Sequence, residues 1–152
     1  MVDLPENITL SVDYSRTLEA MITACGYYWW NSDITAKRFL VRGEGIEQSE
    51  AKIFIVDRNM SSALIVEMIK AAGWDPSKVE HLIAFGEKYP EEQRKYPIIA
   101  LGSVAKIGGY LGAPRLYWAG TGRSLGLYWW DVDCSWNVGH RFLAVRKPSS
   151  AP

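Results

Sequence analysis

The chain of 152 residues offers few groups for chemistry: two cysteines, two histidines and scattered carboxylates. Cys25 and Cys134 are too few and too far apart for a disulfide framework or a zinc site. Both are expected reduced and buried. No base or cation near Cys134 in the sequence would activate its thiol. His81 falls on the side of a helical pattern opposite the apolar stripe Val79, Leu82 and Ile83, so it reads as a surface residue. Asp131 and Asp133 lack further oxygen ligands nearby, and Val138 cannot coordinate, so neither calcium nor zinc is expected in 131–140. Glu44, Glu47 and Glu50 read as a solvated face of a loop over 43–50. The expectation is no catalytic residue, no metal and no cofactor: not an enzyme.

Recognition fits the composition better. Seven Trp and eight Tyr are present, and such side chains give rigid, amphipathic contact area at low entropy cost. The segment 131–140 is polar and irregular, with one large apolar group, Trp136, to hold it in shape. Trp136 is expected to be buried. The candidate ligand-binding residues are Tyr110, Tyr128, Asp131, Val132, Asp133, Ser135, Asn137, Val138, Gly139 and His140, displayed on one contiguous face. Tyr27, Tyr28, Trp29 and Trp30 are expected to pack against the domain.

Several elements must position these residues. A strand is expected over 8–12, then a helix capped by Ser15 with Leu18, Met21, Ile22 and Cys25 on one face and Gly26 at its end. Strands follow over 34–42 and 51–58, the second carrying a run, 53–56, suited to a buried central strand. A helix capped by Ser61 or Ser62 carries Ile65, Met68, Ile69 and Ala72 and stops at Gly73. Asp75 and Pro76 read as the N-cap and first position of the next helix. Further strands are expected over 97–103, 116–118, 124–130 and 141–147. In 125–129, Leu125, Leu127 and Trp129 share one face, and Gly126, Tyr128 and Trp130 share the other.

Length points to one domain, 1–147, with 148–152 a disordered tail. Lys+Arg and Asp+Glu number 17 each, for a formal net charge of zero. A neutral chain has no net field for a phosphate backbone, so no nucleic-acid partner is expected. The N-terminus shows no basic start followed by an apolar run, and no stretch is long and apolar enough to span a membrane. By default this reads as a cytoplasmic protein with no membrane span.

The order strand, two helices, then a meander of short strands resembles the C-type lectin fold. The residues carrying the resemblance are Trp74-Asp75-Pro76-Ser77-Lys78-Val79-Glu80-His81-Leu82, the apolar run 97–103, the late Trp136 and the closing run 142–146. Within that fold these features look like those of formylglycine-generating-enzyme-like domains and of the variable proteins of diversity-generating retroelements. The resemblance covers about residues 50–147. It implies an α+β architecture with two helices and a mostly antiparallel sheet, on which 1–50 packs as an N-terminal extension. The chain departs from calcium-dependent lectins: Trp136-Asn137-Val138 puts an apolar side chain where the third position needs an oxygen ligand.

For a variable protein, the resemblance implies that template Asn codons are scattered over types such as Asn, Asp, Ser, Tyr, His, Gly and Val, and rarely over Trp or Lys. The candidate residues are all of reachable types, interleaved with Trp118, Trp129, Trp130 and Trp136. The function expected is binding of an unidentified ligand, a protein, on a diversified surface. Two rivals stand beside it: a structural or assembly module using the cluster 27–30, and a formylglycine-generating-type enzyme, which would need a reactive thiol or a metal site.

Overall fold

The computed structural model describes residues 4–130 and 135–148. Strand β1 (Ile8–Asp13) alternates buried and exposed residues and leads to helix α1 (Leu18–Cys25). Thr17, not Ser15, caps α1: its Oγ1 accepts the Ala20 N–H at 3.0 Å. Ser15 instead donates its N–H and hydroxyl to the Asp13 carboxylate, closing the turn before the cap. Gly26 ends the helix in the left-handed region, φ 64°, which a side chain would oppose.

Strand β2 (Trp29–Trp30) comes next. The strand expected over 34–42 is absent. Asn31 Oδ1 accepts from Asp33, and the Arg38 and Phe39 amides donate to the Thr35 carbonyl, winding the segment into turns. Its apolar spacing comes from two anchors, Ile34 and Phe39, both buried.

Strand β3 (Ile46–Ile55) starts earlier than expected, taking in Glu47 and Glu50, which lie opposite Val12 and Thr9 of β1. It is central, with β1 on one side and β11 (Arg141–Arg146) on the other, yet Ile55 is exposed. Position 50 therefore falls inside β3, and β1 extends the same sheet.

After β4 (Met60–Ser61), Ser61 caps α2 (Ser62–Ala71), its Oγ accepting the Leu64 N–H. Asp75 and Pro76 do not open a helix. They form a short strand, β5 (Asp75–Pro76), paired with Val145 and Ala144, because β11 offers an open backbone edge. Helix α3 (Val79–Lys88) begins three residues later. There the Lys78 N–H donates to His81 Nδ1 at 3.0 Å and the Val79 N–H to Ser103 Oγ at 2.9 Å, so two otherwise unpaired donors are satisfied. His81 is thus half-buried and structural. Burial, with the Lys78 charge second, pushes its pKa down to about 4.

The remaining strands are β6 (Ile98–Ile99), β7 (Ala105–Ile107), β8 (Tyr110–Ala119), β9 (Gly122–Trp130), β10 (Ser135–Trp136) and β11. The fold is α+β, with three α-helices among the described residues: α1 in the N-terminal part and α2 and α3 within 50–147. The main sheet runs β1-β3-β11-β6-β8-β9-β2, with β5 and β7 pairing off that path. It is antiparallel except at β11–β6 and β2–β9. The closing strand lies beside the run 53–56, Phe142 opposite Phe54 and Leu143 opposite Ile53.

Each sheet face has its own core. On one, α1 and α3 pack over Leu10, Leu116, Leu125 and Leu143. On the other, α2 packs Ile65 and Ile69 with Ile99, Ala113, Trp136 and Phe142. Arg123 locks the first layer, donating to the Cys25 carbonyl at 2.7 Å and the Gly86 carbonyl at 2.9 Å. One cation thereby serves carbonyls near the C-terminal ends of both helices. Cys25 is buried, as expected, and desolvation raises its thiol pKa. Among the described residues no helix is long and apolar enough to cross a membrane.

Candidate recognition surface

The β8–β9 hairpin keeps an unbroken register from Leu111 opposite Trp130 to Ala119 opposite Gly122. Side chains therefore alternate strictly between faces. Leu116, Leu125 and Leu127 point into the α1/α3 core. Ala113, Arg115 and Tyr117 share the opposite face with Gly126, Tyr128 and Trp130.

Half of that face is sealed. Trp136 has no solvent exposure. Its ring centroid lies 4.4 Å from Tyr128, 5.5 Å from Trp130 and 5.4 Å from Phe142. Its Nε1–H donates to Ser62 Oγ at 2.7 Å, which satisfies the indole's one polar group. Strand β10 holds it there by pairing with β4.

The other half is open. Arg115 stacks its guanidinium 4.2 Å from the Tyr117 ring centroid and 5.9 Å from that of Tyr128. Tyr117 lies over Gly126, where an added Cβ would sit 2.8 Å from the ring; Trp29, from β2, closes on the same glycine at 3.5 Å. His140 meets Tyr128 and Trp136 edge-on, at 5.4 and 5.1 Å. The result is a ladder, Trp29–Tyr117–Arg115–Tyr128–His140, of exposed and half-buried groups.

The electrostatics are simple. Among the described residues Arg115 has no carboxylate partner, and its Nε finds no hydrogen bond. Burial, and to a lesser degree the Arg115 charge, lowers the His140 pKa, although its backbone bond to Asn137 opposes this. Both favour the neutral imidazole, whose buried Nδ1 lacks a partner among the described residues. Arg141, by the alternation of β11, belongs to the other face with Leu143, where it stacks on Tyr96 and donates to the Val138 carbonyl. The arrangement is a cationic, aromatic platform, suited to holding an anionic group flanked by apolar matter.

The residues expected from sequence are not all brought together. Ser135, Asn137, Val138 and Gly139 are exposed around the buried Trp136. Asn137 also shapes its own turn, accepting from the Gly139 N–H at 2.9 Å and the His140 N–H at 3.2 Å. Tyr128 and His140 are half-buried against Trp136. Tyr110, by the alternation of β8, stands on the opposite face with Trp129, both exposed. Asp131, Val132, Asp133 and Cys134 lie outside the described residues. Of the cluster 27–30, Tyr27 packs against the α1/α3 core as expected, but Tyr28, Trp29 and Trp30 are 68%, 46% and 38% exposed, because β2 is the sheet's last strand and no layer covers it.

Sequence reasoning missed Arg115, Tyr117 and Trp29. Glycines and Pro114 made β8 read as turns and one three-residue strand. The available signal was period-two spacing at Ala113, Arg115 and Tyr117, mirrored by Gly126, Tyr128 and Trp130. Among the described residues no group of three or more His, Cys, Asp or Glu could hold a metal. No family model, curated protein or solved structure matches the chain.

Proposed function

We propose that this chain is a recognition module whose ligand rests on the open half of the β8–β9 face and places a carboxylate against Arg115. One observation carries the reading: a half-buried guanidinium stacked against two tyrosines, with no counter-charge among the described residues. The ligand is a protein surface, since Tyr and Trp anchor while Arg and His adapt by hydrogen bonding. The test uses N-acetyl-phenylalaninate and its neutral amide, titrated into isotope-labelled protein. The carboxylate shifts amide signals at 115–117, 126–128 and 140–141 saturably, with a dissociation constant of about 10 mM or below; the amide does not. Equal shifts from both probes, or no response from Arg115's neighbours, would remove the reading.

The finer form of the proposal is a C-type-lectin-like scaffold carrying a diversified surface. Its support is the split within 135–139, where Trp136 is wholly buried and every neighbour of a reachable type is exposed. The flanking DNA tests it. It requires a near-copy of the codons for about residues 100–147, differing at adenines, beside a reverse-transcriptase gene.

A second reading, an assembly module, draws on the exposed Tyr28, Trp29 and Trp30 at the sheet edge. Solution mass separates the two: the recognition module is monomeric without ligand, and an assembly module is not.

A further inference from the structure

A second site lies on the opposite side of the sheet from the Arg115 platform, where β1 and the turn before α1 face α3. A cleft of about 360 Å³ opens there, at the small end of the range for small-molecule sites. Its α3 wall is a single helical stripe, Glu80, Ile83, Ala84 and Glu87, at positions i, i+3, i+4 and i+7.

The charged groups in this wall differ in how well they are satisfied. Asp13 accepts two hydrogen bonds from Ser15. Glu87 lies 3.9 Å from Arg16. Lys88 donates to the Thr9 carbonyl at 2.6 Å. Glu80 is the exception. It is 1% exposed, the most deeply buried carboxylate lining the cleft. Its Oε2 accepts the Tyr14 hydroxyl at 2.9 Å, and its Oε1 has no partner among the described residues.

A buried carboxylate normally gathers several donors or a cation, because desolvation without compensation costs several kcal/mol. The chain's other buried glutamate with resolved partners shows the ordinary solution. Glu92 accepts from Lys95 at 2.8 Å on one oxygen and from Tyr96 on the other. Glu80 has half of that. Tyr14 is locked as its donor, since its ring lies against Gly43, where an added Cβ would come within 2.6 Å. Burial and the Glu80 charge both hold the Tyr14 phenol far above its ordinary pKa, so it remains a donor.

We propose that this cleft binds a small organic cation, a primary ammonium, which donates to Glu80 Oε1 and completes the pairing that the fold leaves open. The three carboxylates Asp13, Glu80 and Glu87 outnumber the two cations Arg16 and Lys88 in the lining, so the local field favours a positive guest. The balanced polar and apolar walls, with Ile83 and Ala84 beside Glu80, suit an alkyl chain behind the ammonium. This site is independent of the Arg115 platform and survives or fails separately from it.

The probes are ethylammonium, 1,4-diammoniobutane and tetramethylammonium, titrated into the whole labelled chain at fixed ionic strength. The two primary ammonium probes shift amide signals over 11–16 and 80–88 saturably, while tetramethylammonium, having no N–H to donate, does not. Glu80→Gln weakens the binding by about tenfold or more. Ala84→Leu fills the cleft while keeping the Glu80 carboxylate and weakens it similarly, so the inference stays testable should Glu80→Gln fail to fold. Binding of tetramethylammonium as strong as that of ethylammonium would reduce the site to a nonspecific field and overturn the proposal. Unchanged affinity in both variants, or no saturable shift from either primary ammonium probe, would overturn it as well.

Discussion

Trp136 and Trp29 both lie over the same face of the main sheet, Trp136 from the separate β10–β4 pair, yet Trp136 has no solvent contact and Trp29 is 46% exposed. The residue type is the same, so the difference lies in what covers each. Trp136 sits beneath a second layer: β10 pairs with β4, and Ser62 at the start of α2 accepts its indole N–H. Trp29 belongs to a two-residue strand at the sheet edge, with Gly126 and Tyr117 beneath it and no helix above. An aromatic face becomes core where a helix reaches it and remains a platform where none does. The recognition reading rests on that boundary, which runs through Tyr128 and His140.

The largest expected effect tests the sealed half. Trp136→Ala removes a fully buried indole and orphans none of the backbone, and should cost about 3–5 kcal/mol, as for other core aromatics. Chemical denaturation gives the value. A loss under about 1 kcal/mol would mean that the sealed half is not core and the contrast with Trp29 is empty.

Gly126→Ala probes the seam. The new methyl meets the Tyr117 ring edge at 2.8 Å, and the ring is only half-buried. The expected cost is about 1 kcal/mol, at the low end for overpacking. Near-ultraviolet circular dichroism should change with it, since Tyr117 and Trp29 would both lose their seat. An unchanged spectrum argues that the ladder is not ordered.

His140 reports on the boundary through pH. Its folded pKa lies below the ordinary 6.5, so between the two values the unfolded chain binds a proton that the folded chain does not. Stability therefore falls as pH drops through 6.5 and levels off below the folded pKa. His81 acts in the same direction, over the window from 6.5 down to about 4. Removing the nearby cation with Arg115→Gln should move the His140 pKa upward and leave His81 alone. Proton NMR titration resolves the two imidazoles. A downward move would show that Arg115 does not face His140.

The smallest effect belongs to the open half. Trp29→Ala together with Val138→Ala should change stability by no more than about 0.5 kcal/mol per site, as at other exposed positions. Melting curves decide it. Should this pair unfold as badly as Trp136→Ala, the open half is structural and has no surface to offer a ligand.

Much of the local structure was legible because it is decided within a few residues. The stripe of Leu18, Met21, Ile22 and Cys25, the stop at Gly26 and the cap at Ser61 follow from helical period and terminal hydrogen bonding. The run 142–146 declared itself a strand by composition, and Trp136 declared itself an anchor by being alone among polar neighbours. Of the candidate site, Ser135, Asn137, Val138 and Gly139 were found as exposed positions for the same reason.

The rest depended on partners distant in sequence. Asp75-Pro76 has a strong local helix-start signal, but the open edge of β11 captures its backbone as a strand. The segment 34–42 has apolar residues enough for a strand, but Ile34 and Phe39 are its buried anchors and the chain between them turns. Tyr110 and Tyr128 look equivalent in a list of tyrosines, yet hairpin register puts them on opposite faces, because a strand's side chains alternate with period two. Arg115 gained its place beside Tyr117 and Tyr128 only through cross-strand pairing, and Glu80 became a buried, half-paired carboxylate only when β1 and Tyr14 closed over α3. Sequence period fixes which residues share a face of an element; burial, and with it charge pairing, belongs to whatever other element arrives to cover that face.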